Sequence, residues 1–549
     1  MKTKLKSLLG ILFMSALFFS CSHSSGNKNQ GGDDPKLPKT KWLVLLYMDG
    51  DNNLNDVLYC DLNEVERGMY ENPDKDDAGN LRVVALWDGW DFQSNNDEGE
   101  TSYFENPGLA GYDVHNLAST RLLELAPDNR YLTASSGYND PAVFELSPDT
   151  IDLTDTVDWI EGGEVDMASE TTLENYLKWA KNHYNAENII LQFSNHGGGP
   201  RSAGINGQNY GRRSMCWDDT NGGSSFLKTA DVTTALKAAG YGPGKKVKMI
   251  MEDVCLGGSV EEAYQLKDYS EYYVGSPNNI PGMGFNYISF ISSLTSTADI
   301  ITVGETLIDS YKNYYTKSDT YWTSVLNENH DYFEGMNEKE ISLYYPSAST
   351  LSFIDLSKVY AVKDAVNELA SFILDNANMS DTRIKYSRSE GQFYDSQTET
   401  DIPEDAFFVP IIYAIQYWTA YYGDPIYYEG SFGLLKDLGY MIAVMEDEFK
   451  NSWPALLEKT AEVKRALNEA ILACWRDGYN EVPTYYKTSS NSEGYLSPDC
   501  GCGLTINCSV WVATGSGSVS YGFASWYQNE LAFGKDCANW TSLIQAWWY

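Results

Sequence analysis

The sequence predicts an α/β fold in which helices flank a mainly parallel sheet, followed by an additional C-terminal α+β part. Continuous apolar runs, WLVLLY at 42–47 and LRVVAL at 81–86, are typical of strands that are buried on both faces. Segments with helical periodicity separate runs of this kind along the chain. Because strands and helices alternate, the strands are expected to pair in parallel beneath a cover of helices.

The predicted elements follow one another through the first half of the chain. The segment 171–184 places apolar residues at helical spacing, and Thr171 with Glu174 has the spacing of a capping box. Gly240 ends a second helix as a C-cap residue. That second helix is predicted at 231–239, and a third at 259–267. The remaining strands are predicted at 188–193, 246–251 and 272–275. In a parallel sheet, functional sites collect beyond the carboxyl ends of the strands.

The N-terminal residues predict export. Three lysines precede an apolar run from Leu8 to Phe19, which is too short to span a bilayer comfortably. Cys21 stands where a lipoprotein signal would place a lipidated cysteine, and an ordinary secretory signal with a chance cysteine is the alternative. We therefore expect a protein that is anchored in the cell envelope, at the outer membrane, by an N-terminal lipid.

The sequence divides into four segments. Residues 1–21 form the predicted signal peptide, and the polar residues 22–40 form a flexible tether. Residues 41–345 form an enlarged core with an insertion at about 91–160, which is rich in Asn, Asp, Gly and Tyr. Residues 346–549 form the C-terminal α+β part, which we expect to pack on the core.

The composition excludes several classes of protein. A formal net charge of -38 excludes a nucleic-acid binder, because a phosphate backbone repels such a surface. With 43% hydrophobic residues, the chain is too apolar to be disordered. Cys500 and Cys502 have neither a second cysteine pair nor a nearby histidine, so we expect buried thiols or one local disulfide, and no metal ligands.

Two of the predicted strands end in residues that can carry chemistry. His196 follows the strand NIILQF and precedes three glycines, whose backbone a substrate can approach closely. Cys255 follows the strand KVKMIM and precedes a Gly-rich turn into a helix, whose N-terminus favours a thiolate. If the strands are neighbours, the imidazole can take the thiol proton and the thiolate can attack a carbonyl. Each residue also has a plainer interpretation, as a loop histidine and a small buried side chain.

The sequence around these residues resembles the clostripain-like cysteine peptidases, in the clan that also contains caspases, legumains and gingipains. The clan's pattern is an apolar strand ending in His-Gly and another ending in an acidic residue or Ala followed closely by Cys. The matching segments here are NIILQFSNHGG and VKMIMEDVC. Further segments that resemble the family are WLVLLYMDGDNNL, EVDMASETTLENYLKWAKNHYNAENIIL, SFLKTADVTTALKAAG and YYVGSPNNIPGMGFNY. The resemblance is strong over about 42–287 and implies a caspase-like core and a cysteine endopeptidase that acts on polypeptides.

The resemblance also implies a role for each site residue. Cys255 would be the nucleophile and His196 the general base, and the backbone N–H groups of Gly197 and Cys255 would stabilise the oxyanion. Asp253 matches the family's acid near the pocket for P1, the residue before the cleaved bond, and capping of the following turn is its alternative role. The family's preference for Arg or Lys at P1 is expected here too. Because SPNNIPGMGFNY, after Cys255, offers no further carboxylate, this preference depends on Asp253.

Many members of the resembled family mature by self-cleavage between the His and Cys strands. Here the Gly- and Ser-rich segment 197–225 contains GRRS, so Arg212 and Arg213 are the predicted processing site. The protein is then expected as a monomer or as a self-nicked two-chain form.

No cofactor is expected to be required, and calcium is the one candidate. Some members of the resembled family use calcium. Asp51, Asp218 and Asp219 could supply oxygen ligands to the ion, although the chain has no EF-hand-like spacing.

Two functions of other classes stay open at this point. An aromatic-rich lipoprotein could bind glycans without catalysis, through the cluster of six tyrosines and Trp418 between 413 and 428, whose alternative interpretation is core packing. A peptidase-like protein could also have lost its activity and serve as a scaffold. The presence of both His196 and Cys255 at successive strand ends favours the peptidase over these alternatives.

Overall fold

The structure is a computed structural model. It describes residues 39–52, 54–90, 119–129, 146–160, 162–199, 215–218, 225–278, 280–282, 284–315, 350–376, 384–387, 392–395, 400–401, 435–451, 453–476, 484–487, 493–496, 501–507, 510–513, 519–522 and 525–548. The predicted signal peptide, Cys21, Arg212, Arg213, Asp219 and the tyrosines between 413 and 428 lie outside the described residues.

The strands and helices are numbered separately along the chain. The strands are β1 (Lys39–Gly50), β2 (Leu81–Gly89), β3 (Arg121–Glu124), β4 (Ile151–Asp152), β5 (Asn185–Ser194), β6 (Met215–Asp218), β7 (Ser225–Leu227), β8 (Val247–Asp253), β9 (Ser270–Gly275), β10 (Thr350–Asp355), β11 (Ile384–Ser387), β12 (Gln392–Asp395), β13 (Thr400–Asp401), β14 (Leu435–Asp437), β15 (Ile471–Arg476), β16 (Thr484–Lys487), β17 (Glu493–Leu496), β18 (Thr505–Asn507), β19 (Val510–Ala513) and β20 (Val519–Gly522). The α-helices are α1 (Asn55–Glu71), α2 (Glu170–His183), α3 (Thr229–Ala238), α4 (Val260–Leu266), α5 (Tyr287–Ser293), α6 (Ile300–Tyr315), α7 (Val359–Asn376), α8 (Leu438–Phe449), α9 (Pro454–Ala470), α10 (Ser525–Asn529), α11 (Ala532–Asp536) and α12 (Ala538–Trp548).

A nine-stranded sheet with the order β15-β10-β9-β8-β5-β1-β2-β3-β4 organises the described residues. The five central strands, from β9 to β2, run parallel to one another. The strands on both edges are antiparallel, and β10 and β15 come from the region predicted as a C-terminal part. This arrangement confirms the predicted α/β class with a mainly parallel sheet.

Helices cover both faces of the sheet, because successive side chains of a strand point to opposite faces. On one face, Leu43, Leu45 and Tyr47 of β1 belong to a core that includes residues of α2, α3, α4 and α7. On the other face, Trp42 and Val44 belong to a core that includes residues of α1, α5 and α6. Burial on both faces explains why β1 reads as a continuous apolar run rather than as an alternating pattern.

Helix α2 begins one residue earlier than predicted. Ser169 is its N-cap, and the Ser169 Oγ accepts a hydrogen bond from the backbone N–H of Thr171 at 3.2 Å. Glu174 instead forms an ion pair with Lys178, one turn further along the helix. The predicted capping box of Thr171 and Glu174 is therefore wrong, because Ser169 supplies the cap oxygen where the chain enters the helix.

The predicted insertion at about 91–160 is described only in part. Its described residues include β3 and β4, which add two antiparallel strands to one edge of the sheet. Across the parts of the chain that the structure covers, no helix combines the length and the apolar character needed to cross a membrane.

Candidate active site

The strands that precede His196 and Cys255 are neighbours near the centre of the sheet. β5 and β8 pair in parallel, with Ser194 opposite Asp253. His196 lies two residues beyond Ser194, and Cys255 lies two residues beyond Asp253. The backbone N–H of Asn195 also donates a hydrogen bond to the carbonyl of Asp253 at 3.4 Å. The structure thus brings both predicted residues to the same edge of the sheet.

Gly197 packs directly on the backbone of Cys255. A Cβ atom at Gly197 would lie 2.2 Å from the carbonyl oxygen of Cys255 and 2.8 Å from its nitrogen. Both distances are shorter than van der Waals contact, so glycine is the residue that allows this approach. The segment that carries His196 and the turn that carries Cys255 are therefore in backbone contact.

Cys255 lies in a turn, and its side chain is partly exposed. The backbone N–H of Ile280 donates a hydrogen bond to the Cys255 Sγ at 3.3 Å. Burial raises the pKa of the thiol to about 11; the Ile280 N–H opposes this increase, and the charge of Asp253 adds to it. The thiol is therefore protonated near neutral pH and needs a base before it can act as a nucleophile.

The turn after Cys255 adopts a strained conformation. Leu256 has a φ of 64°, in the left-handed region that residues other than glycine rarely occupy. The Leu256 N–H donates to the carbonyl of Asn278 at 2.9 Å, and the Gly258 N–H donates to the carbonyl of Ser276 at 2.7 Å. Two backbone hydrogen bonds to the loop after β9 therefore hold this turn.

His196 is partly exposed and stacks on Trp217. The ring centroids are 4.8 Å apart, and the ring planes are 24° from parallel. The Asn195 Oδ1 accepts hydrogen bonds from the backbone N–H groups of His196 and Trp217, the latter at 3.1 Å. Sequence analysis missed Trp217, because it reaches His196 through an antiparallel bridge between Gly197 and Met215 that no periodicity signals.

Asp253 is buried, with 5% of its surface exposed. Its Oδ2 accepts hydrogen bonds from the backbone N–H of Phe285 at 3.0 Å and from the hydroxyl of Tyr287 at 2.8 Å. These contacts go to the loop after β9 and to the start of α5, so they do not fit the alternative role of capping the next turn. Burial raises the pKa of Asp253 to about 7, against the opposing effect of both hydrogen bonds.

Two further acids from α1 lie near Tyr287, and sequence analysis missed both. The Glu64 Oε2 accepts a hydrogen bond from the backbone N–H of Tyr287 at 3.3 Å. Asp61, nearly one turn earlier on the same face of α1, is fully buried, and its pKa is raised by burial and then by the charges of Asp253 and Glu64. The spacing of Asp61 and Glu64 places them on one helix face, but it does not reveal what that face packs against.

A second acidic cluster lies at the carboxyl ends of β1 and β2. Asp51, Asp88, Glu164 and Asp218 each place a carboxylate oxygen within 4.8 Å of the others. Asp88 is fully buried, and its Oδ2 accepts no hydrogen bond from the residues that the structure describes. Burial first, and then the charge of Glu164, raise the pKa of Asp88. An oxygen-only donor set of this kind fits a hard cation such as calcium. The sequence pointed to Asp51 and Asp218 but missed Asp88 and Glu164, which come from distant segments.

A family model, a curated relative and solved structures all relate this chain to clostripain or to C11 cysteine proteases. The model of the clostripain family matches residues 46–547. Clostripain from Hathewaya histolytica is 24% identical over 408 residues, which cover 70% of this chain but 65% of the relative, less than two thirds of its length. The X-ray structure of a secreted C11 cysteine protease from Bacteroides thetaiotaomicron, in complex with an irreversible peptide inhibitor, has a TM-score of 0.51 at 17% identity, covering 91% of this chain and 99% of that one.

A second X-ray structure of a secreted C11 cysteine protease from Bacteroides thetaiotaomicron, called iotapain, has a TM-score of 0.50 at 14% identity, with coverage of 91% and 99%. At these identities the two structures support the fold alone, and they agree with the central sheet described above. The family resemblance predicted from the two strand ends is confirmed by the family model. From the match over residues 46–547, the chain belongs to the clostripain family of cysteine peptidases.

Proposed function

We propose that this protein is a cysteine endopeptidase in which Cys255 is the nucleophile and His196 is the general base. The observation that carries the proposal is the parallel pairing of β5 and β8, which brings both residues to one edge with Gly197 against Cys255. Membership of the clostripain family supports the same reaction class and polypeptide substrates.

The reaction begins with proton transfer from Cys255 to His196, because a thiol with a pKa of about 11 supplies little thiolate near neutral pH. The thiolate then attacks the carbonyl carbon of the scissile peptide bond. The backbone N–H groups of Gly197 and Cys255 stabilise the oxyanion, at about 3 kcal/mol for each donor. The imidazolium of His196 protonates the leaving amine, and water activated by the neutral imidazole hydrolyses the thioester.

The proposed substrates carry Arg or Lys at P1. Support comes from Asp253 together with Asp61 and Glu64, three carboxyl groups near Tyr287 whose mutual repulsion a cationic side chain would relieve. The loop after β9, SPNNIPGMGFNY, contains no Asp or Glu that could add a second carboxylate to the P1 pocket. In this proposal, α1 supplies it instead.

A panel of peptide amides that differ only at P1 tests this function. We expect kcat/KM to be at least about 100-fold higher for Arg or Lys at P1 than for Asn or Asp. A P1 side chain without positive charge would leave the buried carboxylates of the pocket without an ionic partner. Asp61→Asn and Asp253→Asn should each reduce this ratio of kcat/KM values, whereas the control Asp74→Asn, at a partly exposed position whose carboxylate bonds to the Ser296 N–H, should not. A preference for Asn or Asp at P1 would contradict the acidic pocket.

We further propose calcium as a structural cofactor, held by Asp51, Asp88, Glu164 and Asp218. The ion would supply positive charge that offsets the repulsion among four close carboxylates. Calcium should therefore raise the melting temperature of the purified protein relative to the same protein in chelator. Asp88→Asn should reduce this shift, and identical melting temperatures in calcium and chelator would show that the cluster holds no such ion.

Export, lipid anchoring and self-cleavage complete the proposal. The predicted signal peptide and Cys21 support an anchored form, which fatty-acid labelling of wild type but not of Cys21→Ser would detect. Self-cleavage after Arg212 or Arg213 is supported by β6, which begins at Met215 beside Gly197. Met215 follows Arg213 by two residues, and its partner Gly197 packs on the backbone of the proposed nucleophile.

A further inference from the structure

We propose that Trp217 is a positioning residue for His196, whose indole ring fixes the orientation from which the imidazole exchanges protons with Cys255. This inference rests on the proposed function. It adds a residue that neither the His-Gly segment nor the Cys segment contains.

The ring geometry is that of a flat support. The imidazole lies over the indole with the centroids 4.8 Å apart and the planes 24° from parallel. Both imidazole nitrogens lie in the plane of their own ring, so a contact through the ring face leaves their hydrogen-bonding directions unobstructed. The same contact restricts rotation of the His196 ring about the Cβ–Cγ bond. The stack therefore limits orientation without blocking proton transfer.

Trp217 is itself held by neighbouring segments. Its backbone N–H donates to the Asn195 Oδ1 at 3.1 Å, and its carbonyl accepts from the Asn52 Nδ2 at 2.9 Å. The next residue, Asp218, accepts a hydrogen bond from the backbone N–H of Met167 at 2.9 Å. Contacts on both sides thus hold the backbone of Trp217, from which the indole ring reaches the His196 imidazole.

The location of Trp217 argues against a role in core packing alone. It is partly exposed and belongs to neither of the two hydrophobic cores. The chain contains a matched pair elsewhere, since Trp179 stacks on His183 of the same helix with centroids 4.6 Å apart and planes 25° from parallel. Trp179 is buried in a core, and its helix ends just before the start of β5, at the opposite end of that strand from His196. Substitutions at Trp179 therefore show what the loss of a Trp–His stack does to stability. Only substitutions at Trp217 should also change turnover.

The test is a substitution series at Trp217, with kcat and KM measured separately on Arg peptide amides. Each variant is first nicked with immobilised wild-type enzyme, so that slow self-cleavage is not counted as slow turnover. We expect Trp217→Ala and Trp217→Leu to lower kcat about 30-fold to 100-fold with KM changed less than about threefold, because misorientation of a catalytic group affects turnover. Trp217→Phe, which keeps a flat ring, should retain kcat within about fivefold of wild type.

The control is Trp179→Phe together with Trp179→Leu, which should lower the melting temperature and leave kcat per folded molecule unchanged. Wild-type kcat in folded Trp217→Leu, or an equal loss in the Phe and Leu variants, would overturn the positioning role. Cys255→Ala distinguishes this result from a failure of the proposed function. If Cys255→Ala is inactive while Trp217→Leu turns over normally, the peptidase proposal stands and the Trp217 inference is wrong.

Discussion

We expect Cys255→Ala to lower kcat/KM for Arg and Lys peptide amides by at least about 10³-fold, because the residue that forms the covalent intermediate is lost. His196→Ala should cause a loss of similar size, since a thiol with a pKa of about 11 cannot ionise near neutral pH without a base. The double variant should be little worse than either single variant, because the two residues act as one unit. Initial rates of amide hydrolysis measure all three.

The same substitutions bear on maturation. If the chain cuts itself after Arg212 or Arg213, purified wild type should run as two fragments on a denaturing gel, and Cys255→Ala should run as one full-length band. Cys537→Ala is the matched control, because Cys537 is a buried thiol far along the chain whose Sγ contacts the carbonyl of Lys363 at 3.6 Å. Cys537→Ala should still run as two fragments, like wild type, and should differ only in a lower melting temperature.

Thiol alkylation reports the proton transfer without a substrate. In His196→Ala, Cys255 should react slowly near neutral pH, because burial raises the pKa of its thiol and the imidazole that would accept the proton is gone. In wild type, His196 takes the proton, so fast alkylation should begin at lower pH. Identical pH profiles for the two proteins, or hydrolysis by Cys255→Ala at the wild-type rate, would refute the His-Cys assignment.

The residues that sequence analysis identified have a common physical origin. His196 and Cys255 follow apolar runs, and parallel strands buried on both faces produce such runs whatever lies beyond them. Because parallel strands end at the same edge, two strand ends with reactive residues predict one site without any knowledge of the contacts. In the structure, Ser194 at the end of β5 lies opposite Asp253 at the end of β8, so the two strands end at the same level of the sheet.

The residues that sequence analysis missed depend on contacts between distant segments. Trp217 reaches His196 because β6 folds back beside Gly197, and Asp61 approaches Asp253 because α1 packs on α5. Such contacts are set by tertiary packing, which leaves no spacing in the local sequence. The start of α2 was missed for a smaller reason, since Ser169 and Thr171 are both good caps and only the path of the chain decides between them.

Gly197→Ala should lower kcat/KM by at least about 100-fold, because a displacement of about 1 Å between catalytic groups is enough for a loss of this size. A Cβ at this position would meet the Cys255 carbonyl oxygen at 2.2 Å and its nitrogen at 2.8 Å. Both obstacles are backbone atoms, so the two strand ends must move apart rather than a side chain rotate away. The proposed oxyanion donors, the N–H groups of Gly197 and Cys255, would separate with them.

The contrast with Gly244→Ala isolates this steric effect. A Cβ at Gly244 would meet no atom within 4 Å, so this control should keep both the melting temperature and kcat/KM. Gly197→Ala should cost about 1–3 kcal/mol of unfolding free energy through overpacking, which leaves a folded protein for the assay. Kinetics on the folded fraction, taken from the melting curve, separate the two losses. A folded Gly197→Ala with wild-type kcat/KM would mean that the contact between the two strand ends does not position the reacting groups.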